Sequence, residues 1–556
     1  MSSTAVFNPE FSQSAKFRIA HFGSRIWDGA VVRRYLNIIE VVILSVLILG
    51  VRCANYQDVF VGGNIYFTDG DCYARMTRVQ MCAENPGLIV RHHNFENFPT
   101  GTTPHTTALF DYLVLGLSIL LKPFSAPAID LAGALISPLL ALVGGWFLWW
   151  WSKRMKFRYR WVLLILYGIS PILVHGTELG RPDHQSLLIL LVTVAICAEW
   201  SLRMKDGAAA RDWRTWSITS GIAWGLAIWT SAYESLVLFL LAMVVTALEN
   251  PKALLARFRF AGWIYFAAVL AVALLIERRV PSFSIFFSNP LFQNWARTIG
   301  ELASLSPANP IWLRWTGYLL LATPLLIWIN IAKANRPITR TVPVFVLVLM
   351  IATYALTIWQ ARWSYFFILL FALALPCLLE PIKPPTAVWI AFCLSIFPIL
   401  RNWDENIWPN EARLADRLER RNESVQLRDL AVSLRSSRIR PFLAPWWLSP
   451  SVAYWSGQPG IAGSSHESLA GIADSARFFL CQDWQKAQQI LQNHQAEWII
   501  AYDSERVTEN SREIMNQAAP ARSLSRVLER TPAQAPPFLI FSGQNGAFKL
   551  YRAVPR

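Results

Sequence analysis

Eleven apolar runs, at about 37–53, 127–151, 161–175, 186–201, 216–231, 233–248, 261–276, 311–332, 341–359, 364–379 and 386–400, constrain this chain more than any other feature. Runs of that length and number point to helices that satisfy their own backbone hydrogen bonds inside lipid. A further run, Ala108 to Leu121, is too short to cross and follows a proline, so it is placed along the membrane interface.

Over 556 residues the chain is 54% hydrophobic with 26 Trp, which excludes an ordinary soluble enzyme and fits a polytopic membrane protein. Residues 401–556 hold no run long enough to span, so the expected division is a membrane domain, 1–400, and a soluble C-terminal domain, 401–556. No cleaved signal peptide is read in the Arg-bearing N-terminus, and the first run is expected to remain as a helix. Seven scattered Cys without metal-type spacing indicate neither a disulfide framework nor a zinc finger. Cys72 and Cys82 on one helix would stand about 15 Å apart, too far to bridge.

The net charge of +15 lies in short loops between apolar runs, which is topology information and not a nucleic-acid footprint. "SKRMKFRYR" (Ser152 to Arg160), "RMKDGAAARDWR" (Arg203 to Arg214), "NPKALLARFRF" (Asn250 to Phe260) and "KANRPITR" (Lys333 to Arg340) alternate with less basic loops. The positive-inside rule places them, with the N-terminus, in the cytoplasm. Loops 54–108, 175–186, 277–310 and 360–362 then face outward, as does the C-terminal domain after an odd number of spans. Letting Ala108 to Leu121 cross would break the alternation.

Asp69, Asp71, Glu178, Asp183, Glu301 and Arg362 thereby gather from four loops on one membrane face, which is costly unless they are paired, hydrated or bound to a cation. Converging carboxylates suit Mg²⁺ or Mn²⁺, and an Arg holds phosphate in a bidentate pair. Such a set suggests transfer of a group from a lipid phosphate. Each residue also has a plain reading. In "DGDCYARMTRV", Asp71, Arg75 and Arg78 share one helix face and can simply pair with each other. Asp183 reads equally as a helix cap, Glu301 as a first-turn residue complementing a helix dipole, and Arg362 as an interfacial anchor. The His92–His93 pair is expected in solvated loop.

The order of "D-x-Y-x-x-R" after the first span, "FPTGTTPHTTALFDYL" (Phe98 to Leu113), an acid in the second outer loop, "TIGE" (Thr298 to Glu301) and "RWSYFF" resembles the catalytic subunit of oligosaccharyltransferase, in its bacterial or archaeal single-subunit type. "PWWLSPSVAYWSGQPGIAGSSHESLAGIADSARFFL" (Pro445 to Leu480) is similar to that family's Trp-Trp-Asp region and the segment after it. The resemblance implies a glycosyltransferase superfamily C fold of about 11–13 transmembrane helices with a mixed α/β extracytoplasmic domain. It further implies a multi-pass protein with an outward site and a polyprenyl-(di)phosphate sugar donor; the expected location is the bacterial inner membrane, ahead of the eukaryotic endoplasmic reticulum.

Matched position by position, the resemblance makes Asp71, Asp183 and Glu301 the catalytic and metal-binding acids, with Gln185 where the family has a further acid. Arg362 matches the donor-phosphate Arg, and Arg75 is placed beside it. Trp446 and Trp447 match the acceptor-reading pair, while Leu448 stands where the family has an Asp that accepts from the acceptor hydroxyl. Leu can accept nothing and Gln185 brings no charge.

The expectation is an inverting, metal-dependent transfer to a protein, lipid or glycan acceptor, with Asp71 or Glu301 as base for a hydroxyl acceptor. Competing readings are a superfamily-C transferase that modifies a lipid or polysaccharide, a lipid-linked sugar transporter, and a non-catalytic relative. In the C-terminal domain, Asp483 to Ser504 is read as an amphipathic helix, a turn near His494 and a strand "EWIIAY".

Overall fold

The computed structural model describes residues 29–204, 212–280, 289–332 and 342–554. "KANRPITR", part of "RMKDGAAARDWR" and part of the 277–310 loop lie outside the described residues.

Among the described residues seven helices are long and apolar enough to cross a membrane: Val32–Arg52, Ala128–Arg154, His184–Leu202, Ala232–Glu249, Arg257–Glu277, Ala361–Leu379 and Pro385–Ile407. The expected run at 216–231 is the Trp213–Thr230 helix, and 341–359 contains Val344–Trp359. Three expected runs are each split. At 161–175, Arg160–Ile169 is followed by Pro171–His175, where the ring of Pro171 starts a new helix. At 311–332, Gly317 separates Ile311–Thr316 from Leu319–Ala332 by taking a φ of +77°, which a side chain resists. The last run is also two helices, Pro385–Ser395 and Phe397–Ile407, the second continuing past the expected boundary at 400.

Sequence polarity decides which helices are central. Every residue of Ser364–Leu379 is buried, and His184–Leu202 is nearly so, as expected for helices apolar on all sides. Gly29–Arg52 and Arg257–Glu277 instead keep Val46, Ile264 and Leu275 exposed, apolar faces suited to lipid. The Trp213–Thr230 and Arg257–Glu277 helices meet backbone to backbone: a Cβ on Gly221 would lie 2.0 Å from the Gly262 carbonyl. Near the basic-loop end, Glu199 is buried between Arg259 (2.7 Å) and Arg203 (3.0 Å), the paired form in which an intramembrane charge is tolerated.

The Ala108–Leu121 helix has 14 residues, about 21 Å of rise, less than the ~30 Å of a hydrocarbon core. It packs on Ala128–Arg154 and on the Gly70–Glu84 helix of the first loop.

Towards the C-terminus, a four-stranded sheet runs in the order Phe442–Leu443, Trp498–Ala501, Phe548–Ala553, Leu539–Asn545, the first pair parallel and the others antiparallel. Asp483 caps Trp484–Asn493, which ends at His494 before the Trp498–Ala501 strand, the helix–turn–strand read from the sequence. One apolar cluster joins this region to the first loop: Tyr73 lies 4.8 Å from the Trp455 ring and 5.7 Å from Tyr454. The C-terminal region is therefore seated on the residues that carry Asp71.

Candidate active site

The Gly70–Glu84 helix begins where Asp69 accepts from the Cys72 N–H (3.0 Å), so Asp71 falls in its first turn. Gly70 is small because the chain of Trp447 and Ser464 passes there: a Cβ would sit 3.4 Å from the Trp447 carbonyl oxygen and 3.3 Å from the Ser464 Cβ. Farther along, the expected pairing within the helix does not form. Arg75 (2.8 Å) and Arg78 (3.4 Å) both turn to Asp111 on Ala108–Leu121, a buried acid that neutralises them better than a partner on their own surface. Arg75 still lines the site, with Nη2 3.2 Å from Nδ1 of His184.

The second loop folds around Arg181, which pairs with Asp69 (2.8 Å) and Glu178 (3.1 Å) and lies 3.1 Å from His175. These two acids are thus spoken for by a protein cation. Asp183 does occupy the cap position of His184–Leu202, yet its side chain makes no capping bond and lies 2.6 Å from His184 Nδ1. Glu301 sits on a short 3-10 turn, Gly300–Leu302, and accepts from the Tyr365 hydroxyl (3.3 Å). Arg362 lies 2.6 Å from Glu234.

Asp71, Asp183, Gln185, Glu301, Arg75 and Arg362 all line one cavity of about 150 Å³. The sequence-predicted acids are thereby brought together from three loops. Burial, with Asp69, Asp183 and Glu301 adding their charge, pushes the Asp71 carboxyl up to about 8. Burial also raises Glu301, against the pull of Arg362. Asp183 differs: burial opposes its charge, but His184 beside it holds the carboxyl below its ordinary range. Gln185 is 2% exposed, and its Oε1 is buried without a hydrogen-bond partner. Asp71, Asp183 and Glu301, with the partnerless Gln185 oxygen, offer oxygen donors of the kind that a hard divalent cation such as Mg²⁺ or Mn²⁺ takes.

Trp446, Trp447 and Leu448 do not line the cavity; they stand behind it. Trp446 packs edge-on to Trp295 (5.6 Å), which does line it, and donates to Asn510 Oδ1 (2.7 Å). Arg506 lies over the Trp447 ring at 5.5 Å. Leu448 precedes the Ser449–Ser456 helix and packs on the apolar cluster shared with Tyr73.

Several wall residues carry no mark in the sequence reading: Glu96, His105, Glu234, His466 and Glu467. Glu234 had a signal, an acid within an apolar run. The others become neighbours only through long-range folding. His93 corrects an expectation: it is 4% exposed and stacked on Phe95 at 3.8 Å, because the turn closed by its backbone pairing with Thr102 tucks it inward, whereas His92 is exposed.

Beside the polar cavity lies a second, mostly apolar one of about 590 Å³, walled by Ile228, Trp229, Leu270, Leu274 and Val280. Pro104, His105, His184, Ser231, Tyr233, His466 and Glu467 touch both. An apolar groove thus meets a charged chamber at a rim rich in imidazole.

No family model matches the chain. It is 24% identical over 187 residues to dolichyl-phosphooligosaccharide-protein glycotransferase 1 of Archaeoglobus fulgidus, a stretch that spans 33% of this chain and only 29% of that protein. Among solved structures, the archaeal oligosaccharyltransferase AglB from the same organism, in complex with an inhibitory peptide and a dolichol-phosphate, superimposes with a TM-score of 0.65 at 13% identity, covering 87% of this chain and 71% of that one. ArnT from Cupriavidus metallidurans, bound to undecaprenyl phosphate, gives a TM-score of 0.55 at 14% identity over 95% and 99% of the two chains. The resemblance drawn from the motifs is met at the level of architecture: this chain is a multi-pass helical membrane protein whose fold is similar to that of the solved AglB and ArnT structures.

Proposed function

We propose that the protein is a membrane glycosyltransferase that moves a glycan from a polyprenyl-(di)phosphate donor to an acceptor on the outer face of the bacterial inner membrane. The observation that carries this reading is the junction of the two cavities: an apolar groove of lipid-tail character opens onto a chamber lined by Asp71, Asp183, Glu301 and Arg362 among its charged residues. The two solved relatives hold a dolichol-phosphate and an undecaprenyl phosphate, ligands of the same chemical class. The basic loops support the orientation.

In this reading the donor tail lies along Trp229, Leu270 and Leu274, and its phosphate reaches His105 and His184 at the rim and Arg362 in the chamber. Asp71, Asp183, Glu301 and the Gln185 oxygen hold Mn²⁺ or Mg²⁺, which when bound neutralises charge developing on the leaving phosphate. Asp71 and Glu301 line the chamber in which an acceptor hydroxyl would attack the anomeric carbon, and either carboxylate, when ionised, can take its proton. Attack opposite the leaving group gives inversion. Residues 401–556 form the acceptor side: Ser464 and Ser465 line the chamber, and Trp446 and Trp447 back it.

Leu448, where the family has an Asp, offers a sequon hydroxyl no acceptor, which favours a lipid or glycan acceptor over a sequon peptide, although Leu448 itself packs on the apolar cluster behind the chamber. The test is transfer from a polyprenyl-linked oligosaccharide by purified protein, with Mn²⁺ or EDTA, offering sequon peptide, lipid and glycan acceptors in parallel. Transfer that needs Mn²⁺ and is lost in Asp71→Ala supports the reading. Neither transfer nor metal-sensitive donor binding would favour a non-catalytic relative.

A further inference from the structure

The rim between the two cavities holds a second group of donor atoms that the carboxylate site does not use. His105 Nδ1 lies 2.6 Å from Glu467 Oε1, and His466 Nδ1 lies 3.6 Å from Glu467 Oε2. The two imidazole rings are 4.7 Å apart, and one ligand atom from each of the three residues falls within 4.8 Å of the others. The grouping is built by tertiary structure: His105 comes from the first outer loop, whereas His466 and Glu467 share a 3-10 turn of the C-terminal region. The His105 backbone N–H also donates to Glu467 Oε1, fixing the loop against the carboxylate. Glu467 Oε2 is buried without a hydrogen-bond partner, an acceptor aimed into the same space.

We propose that His105, His466 and Glu467 form a separate site for a borderline transition-metal cation, Zn²⁺ in particular. Two imidazole nitrogens and one carboxylate are a three-ligand set of the kind that leaves Zn²⁺ an open position, and nitrogen donors disfavour Mg²⁺. The all-oxygen set at Asp71, Asp183, Glu301 and Gln185 has the opposite preference. Because all three residues border both cavities, the open position faces the place where groove and chamber join. An oxyanion lying there would complete the coordination.

The test is Zn²⁺ titration calorimetry and zinc X-ray absorption on the purified full-length protein, in an Asp71→Asn background that weakens the carboxylate site. One Zn²⁺ per chain is expected to remain, with two imidazole scatterers. Its affinity should fall by at least about tenfold in His466→Ala and in His105→Ala. The His105 side chain is 47% exposed, so its removal spares the fold and carries the test if His466→Ala misfolds. Zinc lost with Asp71→Asn alone, an all-oxygen absorption spectrum, or an affinity indifferent to His105→Ala would overturn the assignment. None of these readouts involves glycan transfer, so failure of this site and failure of the proposed activity are distinguishable.

Discussion

Arg362 and Glu234 meet at 2.6 Å in the wall of the chamber, the acid 1% exposed and the base turned towards the space that the donor phosphate would fill. An arginine anchored in this way is pre-oriented, so little side-chain entropy is lost when it takes a ligand. Arg362→Lys keeps the charge but not the planar fork, and is expected to raise the apparent Kd for undecaprenyl phosphate on the order of tenfold. Glu234→Ala removes the partner of a guanidinium whose side chain is 20% exposed, and should lower stability by about 1–3 kcal/mol. Lipid-phosphate titration and thermal unfolding in detergent check the two.

Gln185 supplies the one uncharged oxygen of the acid cluster, and that oxygen is buried without a partner. Gln185→Glu is expected to tighten Mn²⁺ binding on the order of tenfold by adding charge, and Gln185→Leu to weaken it. Electron paramagnetic resonance of free Mn²⁺ measures both, and an unchanged affinity in Gln185→Glu would remove this residue from the site.

Asp111 is a single carboxylate paired with two buried arginines, and is itself 3% exposed. Asp111→Ala is expected to lower stability by about 3–5 kcal/mol, because Arg75 and Arg78 lose their counter-charge. Replacing all three together, as Arg75→Met, Arg78→Met and Asp111→Leu, should recover much of that loss. The comparison of melting temperatures separates a lost ion pair from a lost shape.

His494 links the C-terminal region to the first loop, lying 2.5 Å from the Phe98 carbonyl oxygen and 2.9 Å from Asp474. Burial disfavours its charged form, but the bonds to Asp474 and Phe98 outweigh burial and raise its pKa above the ordinary 6.5. The unfolded chain therefore loses this proton at lower pH than the folded one. The resulting stabilisation is fully present below about 6.5 and declines as pH rises through the folded value. Melting temperature should fall between pH 6 and pH 9, and His494→Gln should remove that component of the slope.

Much of this architecture is legible in the chain because the physics is local. A run of apolar residues must become a helix in lipid whatever its neighbours are, so the spans and the basic loops can be read in order. The motifs around Asp71, Asp183, Glu301 and Arg362 are likewise short and contiguous. Tertiary structure alone decided which charges cancel. Nothing in sequence spacing says that Arg75 and Arg78 would turn from their own helix to Asp111, that Arg181 would claim Asp69 and Glu178, or that Arg362 would lean on Glu234. Nor could it bring His105 to His466 and Glu467, or set Trp446 behind Trp295 instead of in the chamber. Pairing of buried charges depends on separations of a few ångströms between groups that stand 36 residues apart for Arg75 and Asp111 and 362 apart for His105 and Glu467, and only the folded chain sets those separations.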